Sequence, residues 1–264
     1  MMPSIKKAIE IVVQDEIMPF YCNSKFEIKR DGSVCTQADL AAQEKLKDLL
    51  RDILQAPVLG EEMSSSEQMQ IWETSGDYIW CVDPIDGTSN YVNGIPYFAV
   101  SVALMQNRKT CLGAVYDPTR EEFFHAEEGK GAFLNEVRLE KTIRKPLQQA
   151  IAQIDFKRLP RPIIEKLLDN RPYASQRNFG AGSLEWCYLA AGRFDIYLHG
   201  SQKLWDYAAG SLILGEAGGK LRTMRHPNFW EGDVWSKSVI AAGSEGLFKP
   251  WLDWLVNAVP EIIS

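Results

Sequence analysis

The chain has 264 residues, of which 45% are hydrophobic and 24% are charged, and its formal net charge is −6. This is the composition of an ordinary globular protein, and the length allows a large core in one domain or two. A general nucleic-acid-binding protein needs a basic face, which this sequence does not show. No apolar run reaches the ~20 residues of a membrane span, so we expect neither a nucleic-acid nor a membrane partner.

The first quarter of the chain predicts two helices, a short strand and a loop. Apolar residues at helical spacing predict an amphipathic helix over residues 3–21 rather than a signal peptide. Thr36 is a good N-cap for a second helix to about Leu54, with Asp39 as the partner in a capping box. A short strand over residues 57–60 leads into two glutamates, and the polar stretch 63–77 predicts an irregular, mobile loop.

Two aspartates follow the next apolar run, residues 78–82, which predicts a buried strand. Asp83 and Asp86 are separated by Pro84, which is expected to stop the strand, and are followed by Gly87, which allows a turn. Hard divalent cations such as Mg²⁺ prefer oxygen ligands held in this way and often bridge carboxylates to a phosphate. The free amides at a helix start near Thr88 suggest a phosphate cradle, although a simple capped turn would look the same.

The rest of the chain alternates strands and helices. Apolar runs at 98–105, 111–116 and 122–126 predict an antiparallel meander. We then expect, in chain order, a strand at 150–154, a helix at 162–170, a glycine-rich turn at 180–183, a helix at 184–191, a strand at 194–198, a helix at 205–217, a strand at 239–242 and a helix at 247–256. The polar stretch 141–149 suggests a boundary between an N-terminal α+β half, 1–145, and a C-terminal half, 146–264.

Cysteine usage suggests a compartment. The five cysteines are an odd number, none lies in a C-x-x-C pair and several lie in apolar runs. This pattern predicts reduced thiols and a cytoplasmic protein.

Acidic residues recur at strand ends and helix starts, where α/β active sites concentrate. Taken alone, Asp39 or Asp206 could simply offset a helix dipole, and Glu61 with Glu62 could be a solvated pair. Their combination favours a metal-assisted phosphate site. The sequence offers no nucleophile elbow, no phosphate-loop lysine and no zinc spacing among its three histidines.

Five segments together carry a specific resemblance. They are Gly60-Glu61-Glu62, the run Trp80–Tyr91 with Asp83-Pro84-Ile85-Asp86-Gly87-Thr88, the run Leu204–Gly210 followed by Glu216–Gly219, Thr36-Gln37-Ala38-Asp39, and Ala190–Asp195. Taken in chain order, these segments resemble the motifs of the inositol monophosphatase family, within the superfamily of Mg²⁺-dependent, lithium-sensitive phosphatases.

The resemblance implies an α+β fold, a five-layer αβαβα sandwich, in a homodimer with the metal site between the two halves of each chain. It implies a phosphoric monoester hydrolase that uses two-metal-assisted, in-line attack of water. One Mg²⁺ would be held by Glu61, Asp83 and the carbonyl of Ile85, a second by Asp83, Asp86 and Asp206, and a weaker third would lie near Glu61.

The resemblance also assigns the remaining roles. Asp39 and Thr88, together with Glu61, would orient and activate the attacking water. Gly87, Thr88 and Ser89, with Gly182 and Ser183 of the glycine-rich turn, would bind the phosphate or substrate.

Substrate choice stays open in the sequence. His199 lies where inositol-specific relatives carry an acid, and with Lys203 it could receive a second phosphate, although both could also be rim residues. Glu185, in contrast, is an acid where the nucleotide bisphosphatases resemble G-S-S-L-K. We expect inositol 1-phosphate-like monoesters first, then 3′(2′),5′-bisphosphate nucleotides, then fructose 1,6-bisphosphate or histidinol phosphate.

A different class of function is a partner-binding protein that keeps the fold without catalysis. Its interface would use the tryptophans near the C-terminus, Trp230, Trp235, Trp251 and Trp254. The presence of every metal-binding acid favours the enzyme.

Overall fold

A computed structural model describes residues 1–29, 32, 34–140 and 145–263. The helices are α1 (Met2–Val12), α2 (Gln37–Ile53), α3 (Ser65–Thr74), α4 (Thr88–Val92), α5 (Arg161–Asp169), α6 (Gly182–Ala190), α7 (Leu204–Glu216) and α8 (Glu245–Ala258). Helix α1 continues through a π turn, Val13–Ile17, and a 3-10 turn, Met18–Phe20. Of the predicted boundary stretch 141–149, residues 141–144 lie outside the described part.

The strands form three sheets. They are β1 (Phe26–Ile28), β2 (Val34–Thr36), β3 (Val58–Gly60), β4 (Tyr78–Asp86), β5 (Ala99–Gln106), β6 (Lys109–Asp117), β7 (Glu122–Glu127), β8 (Gly131–Leu134), β9 (Val137–Arg138), β10 (Ile151–Asp155), β11 (Ser175–Arg177), β12 (Ile196–Gln202), β13 (Lys220–Arg222) and β14 (Lys237–Ala242). Strands β3 to β9 make a seven-stranded sheet in chain order, with β3 parallel to β4 and the rest antiparallel. The second sheet has the order β11-β10-β12-β14-β13, and β1 and β2 form a separate hairpin.

Strand β4 shows why the sheets lie inside the fold. Successive side chains of a strand point to opposite faces. Ile79 and Cys81 enter the apolar core on one face of the large sheet, whereas Trp80 and Val82 enter the core on the other. Because both faces are covered, the strand is a continuous apolar run in the sequence rather than an alternating one.

The layers follow from these cores. Helices α1 and α2 cover the outer face of the large sheet, and α6 and α7 fill the space between the two sheets. Helices α5 and α8 cover the outer face of the smaller sheet. The order helix, sheet, helix, sheet, helix confirms the predicted five-layer α+β sandwich. No helix in the described residues has both the length and the apolar character needed to cross a membrane.

Two local predictions were wrong. The stretch 63–77 is not an irregular loop, because it contains α3, which begins with a capping box between Ser64 and Glu67. Pro84 does not end its strand either, since β4 continues to Asp86 with an irregularity in its pairing to β5 after Asp83.

The four C-terminal tryptophans belong to the packed protein, and none of them is exposed. Trp251 is fully buried and stacks on Trp254, and Trp235 packs against Trp72 in an edge-to-face contact. These contacts give no support to an interface formed by their rings.

Candidate active site

Three carboxylates meet where the large sheet faces α7. Asp83 and Asp86 come from the end of β4, and Asp206 comes from the first turn of α7, where its Oδ2 accepts the N–H of Lys203 at 3.0 Å. One oxygen of each lies within 4.8 Å of an oxygen of the others. Such a set of oxygen ligands can hold a hard divalent cation.

Within the part of the chain that the structure describes, the carboxylates of this cluster lack a positively charged partner. Asp83 is 2% exposed, and among the described residues its Oδ2 has no hydrogen-bond partner. Burial, followed by the charges of Glu61, Asp86 and Asp206, raises the pKa of Asp83 well above its ordinary value. Burial also raises the pKa of Asp206, again with help from Asp86. A bound cation would satisfy the orphaned oxygen and offset this repulsion, so the residues fit a metal site.

The N-terminus of α6 holds Asp86 in place. Asp86 Oδ2 accepts hydrogen bonds from Ser183 N at 2.6 Å and Ser183 Oγ at 2.5 Å, and Asp86 Oδ1 accepts one from Gly182 N at 3.2 Å. Burial raises the pKa of Asp86 to about 6, although the Ser183 bonds act against it. The amides of Gly182 and Ser183 therefore orient an acid of the cluster instead of being directed at a phosphate, which revises the role expected for them.

The turn after β3 brings in a fourth acid. Glu61 forms an ion pair with Lys29 (Nζ to Oε1, 3.0 Å), and Lys29 also pairs with Glu62 at 2.7 Å. The backbone of this turn is held by Gln68 of α3, whose Nε2 donates to the carbonyls of Gly60 at 2.9 Å and Glu61 at 3.2 Å. Helix α3 is thus a support for Glu61.

Asp39 and Thr88 form the second polar cluster. Asp39 closes the predicted capping box at α2, accepting Thr36 N at 2.7 Å and Thr36 Oγ1 at 2.6 Å on its Oδ2. The hydroxyl of Thr88 lies 3.2 Å from Asp39 Oδ1 and 2.9 Å from the carbonyl oxygen of Ile85. Burial raises the pKa of Asp39 to about 7, against the lowering effect of the Thr36 bonds. A carboxyl with this pKa can take up a proton near neutral pH.

Gly87 shapes the turn between β4 and α4. Its φ of +88° favours glycine, and a Cβ there would lie 3.0 Å from Ala181 Cβ and 3.2 Å from Tyr97 O. The carbonyl of Gly87 accepts the N–H groups of Asn90 and Tyr91, which begins the short helix. The turn is therefore a helix start that faces the cavity.

These groups surround one cavity of about 330 Å³. Of the residues predicted from the sequence, its lining includes Glu61, Asp86, Gly87, Thr88, Ser89, Gly182, His199 and Asp206. Asp39, Asp83, Ile85 and Ser183 lie behind this lining, whereas Lys203 is exposed outside it. The structure therefore brings together every predicted position except Lys203.

Sequence reasoning missed part of the cavity lining. The additional polar residues include Asp155, Lys157, Arg158, Asn178, Glu185 and Gln202. Asp155 is the last residue of β10, so the rule that selected Asp83, an acid at a strand end, could have found it. The others depend on contacts between distant parts of the chain, which carry no local signal.

Glu185 is a further carboxyl of the cavity with a shifted pKa. It accepts Gly180 N at 3.1 Å and the Tyr197 hydroxyl at 2.8 Å, and Tyr197 accepts Gln202 Nε2 at 2.5 Å. Burial raises the pKa of Glu185 to about 8, while the bond from Tyr197 acts in the opposite direction. The Glu185 carboxyl can therefore take up a proton near neutral pH.

His199 does not have the role expected for it. It is 5% exposed, its Nδ1 accepts Ser201 N at 3.1 Å, and its Nε2 donates to Asp155 Oδ2 at 3.1 Å. Burial lowers the pKa of His199, and the contact with Asp155 only partly offsets this effect. Both ring nitrogens are thus engaged by the protein, and the neutral imidazole serves to hold Asp155.

Known proteins share both the sequence pattern and the fold. The sequence model that describes the inositol monophosphatase family matches residues 3–263 of this chain. The chain is 34% identical over 232 residues to the inositol-1-monophosphatase of Caulobacter vibrioides, covering 84% of this chain and 88% of that one. It is 35% identical over 199 residues to the Nus factor SuhB of Pasteurella multocida, covering 73% and 72%. The solved IMPase of Thermotoga maritima aligns with a TM-score of 0.78 and 28% identity over 98% of this chain and 96% of that one.

Proposed function

We propose that this chain, which belongs to the inositol monophosphatase family and is a phosphoric monoester hydrolase, hydrolyses a small phosphorylated metabolite such as inositol 1-phosphate with Mg²⁺ as its cofactor. The observation that carries the proposal is the cluster of Asp83, Asp86 and Asp206 with its orphaned oxygen. A buried group of like charges is costly unless a cation shares the site.

The metal ligands follow from the cluster. Asp83, Asp86 and Asp206 would hold one Mg²⁺, and Glu61, Asp83 and the carbonyl of Ile85 would hold a second. Bound Mg²⁺ would supply positive charge that offsets the phosphate oxygens in an in-line displacement. Asp86 is already oriented by the α6 amides, and Glu61 by the turn that Gln68 supports.

Proton transfer falls to Asp39 and Thr88. The Thr88 hydroxyl has one proton, which it can give to Asp39 Oδ1 at 3.2 Å, and this leaves its oxygen free to accept a proton from the attacking water. The raised pKa of Asp39 suits the acceptor at the end of this chain. The start of α4, at Gly87, Thr88 and Ser89, would bind the phosphate that water attacks.

A phosphate-release assay tests the proposal. The substrates are inositol 1-phosphate, adenosine 3′,5′-bisphosphate, fructose 1,6-bisphosphate and histidinol phosphate, each with and without Mg²⁺. Asp83→Asn should lower turnover by orders of magnitude while the protein stays folded. Asp117→Asn is the matched control, because this buried acid lies outside the cavity. Substantial turnover by a folded Asp83→Asn protein would contradict the two-metal assignment.

The relatives named Nus factor favour a second role, a binding function that does not need hydrolysis. The two roles separate in a variant that is folded but catalytically dead. If Asp83→Asn supports growth as well as the wild type in a host that depends on the gene, the binding role is the essential one. Loss of growth with that variant assigns the essential role to hydrolysis.

Three further expectations complete the proposal. We propose a homodimer, which sedimentation velocity would test, and inhibition by Li⁺ in competition with Mg²⁺, which the phosphate assay would test. We also propose a reducing cytoplasm as the compartment, because the five cysteines are free thiols.

A further inference from the structure

The cavity is lined by groups of opposite charge. They include the acids Glu61, Asp86 and Asp206 and the cations Lys157 and Arg158. Lys157 and Arg158 come from one 3-10 turn, Phe156–Arg158, directly after β10, and both side chains are exposed to the cavity and solvent. Arg158 is near enough to Asp206 for its charge to lower the pKa of that carboxyl, although burial and Asp86 dominate it.

Hydrogen bonds to Asp155 hold the turn that carries Lys157 and Arg158. Asp155 accepts Lys157 N at 2.9 Å on Oδ1, and Arg158 Nη1 at 2.9 Å on Oδ2. His199 adds its Nε2 bond to Asp155 Oδ2. Burial alone would raise the pKa of Asp155, but the bonds from His199 and Arg158 hold it well below its usual range, so the carboxylate is charged at neutral pH.

The packing of the turn on β12 is equally close. A Cβ at Gly200 would lie 1.8 Å from the carbonyl oxygen of Arg158, so only glycine allows this approach. The backbone that carries the two cations is therefore fixed against the strand that carries His199. The guanidinium of Arg158, which Asp155 also holds, therefore loses little entropy when it binds an anion.

The charges of this turn and its partners do not cancel. Arg158 is paired with Asp155, which leaves the positive charge of Lys157 without compensation. Among the described residues, Lys157 has no ion-pair partner. A substrate that places its reacting phosphate at the acids shares one cavity with this positive charge.

We propose that Lys157 and Arg158 form an anion subsite, so that the enzyme prefers phosphomonoesters that carry a second anionic group, a phosphate or a carboxylate. This inference rests on the proposed function and names its substrate class. His199 is a positioning residue in this arrangement, since both of its nitrogens are engaged by the protein. The subsite thus lies on the turn after β10 and not at His199 and Lys203.

Three substrates that share one sugar ring test the subsite. They are glucose 1-phosphate, glucose 1,6-bisphosphate and glucuronic acid 1-phosphate, of which the last two add a phosphate or a carboxylate. For the wild type we expect kcat/KM at least about tenfold higher with a second anion, the worth of one charge-assisted contact. The bisphosphate and the glucuronate arms show which anion is preferred.

Lys157→Met is the primary variant, because Arg158 also pairs with Asp155. It should raise KM for the doubly anionic substrates about tenfold with little change in kcat, and should leave glucose 1-phosphate within twofold. Lys166→Met, which removes an exposed lysine of α5 outside the cavity, is the control and should change neither. Equal losses on all three substrates, or a wild-type ratio near one, would overturn the subsite.

Calorimetry separates this inference from the proposed function. Binding of glucose 1,6-bisphosphate and glucose 1-phosphate is measured with Ca²⁺ in place of Mg²⁺, with no need for turnover. If no substrate releases phosphate, the proposed function fails, while tighter binding of the bisphosphate that Lys157→Met abolishes still supports the subsite. Equal binding of the two sugars overturns the subsite even where phosphate release succeeds.

Discussion

Replacing Asp83 by asparagine should stabilise the metal-free protein, although the same change should abolish its activity. The carboxylates of the cluster lie within 4.8 Å of one another. Two full charges at that separation repel by about 3.5 kcal/mol at an effective dielectric constant of about 20. Partial protonation reduces this repulsion, so we expect a gain of about 2 kcal/mol at pH 8, or a Tm about 4 to 8 °C higher.

The pH dependence has a definite sign. The folded-state pKa of Asp83 lies above its unfolded value, so folding takes up a proton. This group favours the folded state at low pH, and that contribution is lost as pH rises from the unfolded pKa, near 3.9, toward the folded pKa. Asparagine does not titrate, so the Tm advantage of Asp83→Asn should be small at pH 5 and grow toward pH 8.

Differential scanning fluorimetry with EDTA and with Mg²⁺ measures both effects. Mg²⁺ should raise the Tm of the wild type by binding the folded state, and should raise that of Asp83→Asn much less. Asp117→Asn is the control, because Asp117 is fully buried but accepts hydrogen bonds from Thr119 and Arg120, so its Tm should fall. If Asp83→Asn lowers the metal-free Tm as Asp117→Asn does, the repulsion argument is refuted. An unchanged Mg²⁺ response refutes the ligand assignment.

Three other predictions follow from the surroundings of the cluster. Asp39→Asn should lower kcat by about 10² to 10⁴-fold with Mg²⁺ saturating, because the proton acceptor is lost, and a loss confined to KM would contradict this role. Gln68→Met removes two hydrogen bonds to the turn that carries Glu61, so a Mg²⁺ titration of tryptophan fluorescence should show about tenfold weaker binding. The control is Gln70→Met, which changes an exposed residue of the same helix. Equal Mg²⁺ affinity in both variants would contradict a supporting role for α3. Gly200→Ala should cost at least about 2 kcal/mol in urea unfolding because its Cβ would meet a carbonyl oxygen, whereas Gly246→Ala, which has open space in α8, should gain up to about 1 kcal/mol.

Local signals predicted most of the helices and singled out the acids that we propose as metal ligands. The capping box of Thr36 and Asp39 lies within four residues, and the apolar run before Asp83 lies within one strand. Such patterns depend on neighbours in the sequence, so they can be read without knowing the fold. Asp86 and Asp206 come from segments far apart in the chain, and their meeting is settled only by the packing of α7 against the large sheet.

The capping box at the start of helix α3 is visible in the sequence, but it was not enough to predict the helix. Ser64 and Glu67 have the spacing of a capping box, and the structure contains that box. The helix buries few side chains, so the stretch has little apolar periodicity and resembled a polar loop. Its value to the fold lies in Gln68, whose two bonds to the turn after β3 could not be seen without that turn.

The short strands and the contact between His199 and Asp155 could not be predicted for another reason. Strands β11 and β13 have three residues each, and only their partners in the smaller sheet define them. The role of His199 likewise depends on Asp155, the last residue of a neighbouring parallel strand. A histidine beside an acid at a strand end cannot be told from a ligand-reading histidine until the register of the two strands is known.

The buried acids of this chain differ in a way that points to the site. Asp195 accepts a backbone N–H and pairs with Lys145, and Asp117 accepts donors from Thr119 and Arg120. The support around Asp86, in contrast, consists of neutral amides and a hydroxyl, and Asp83 keeps one oxygen without a donor among the described residues. Asp195 and Asp117 thus each pair with a cation of the protein. Among the described residues, Asp83, Asp86 and Asp206 have no such ion pair, so a bound cation would supply the positive charge that this cluster needs.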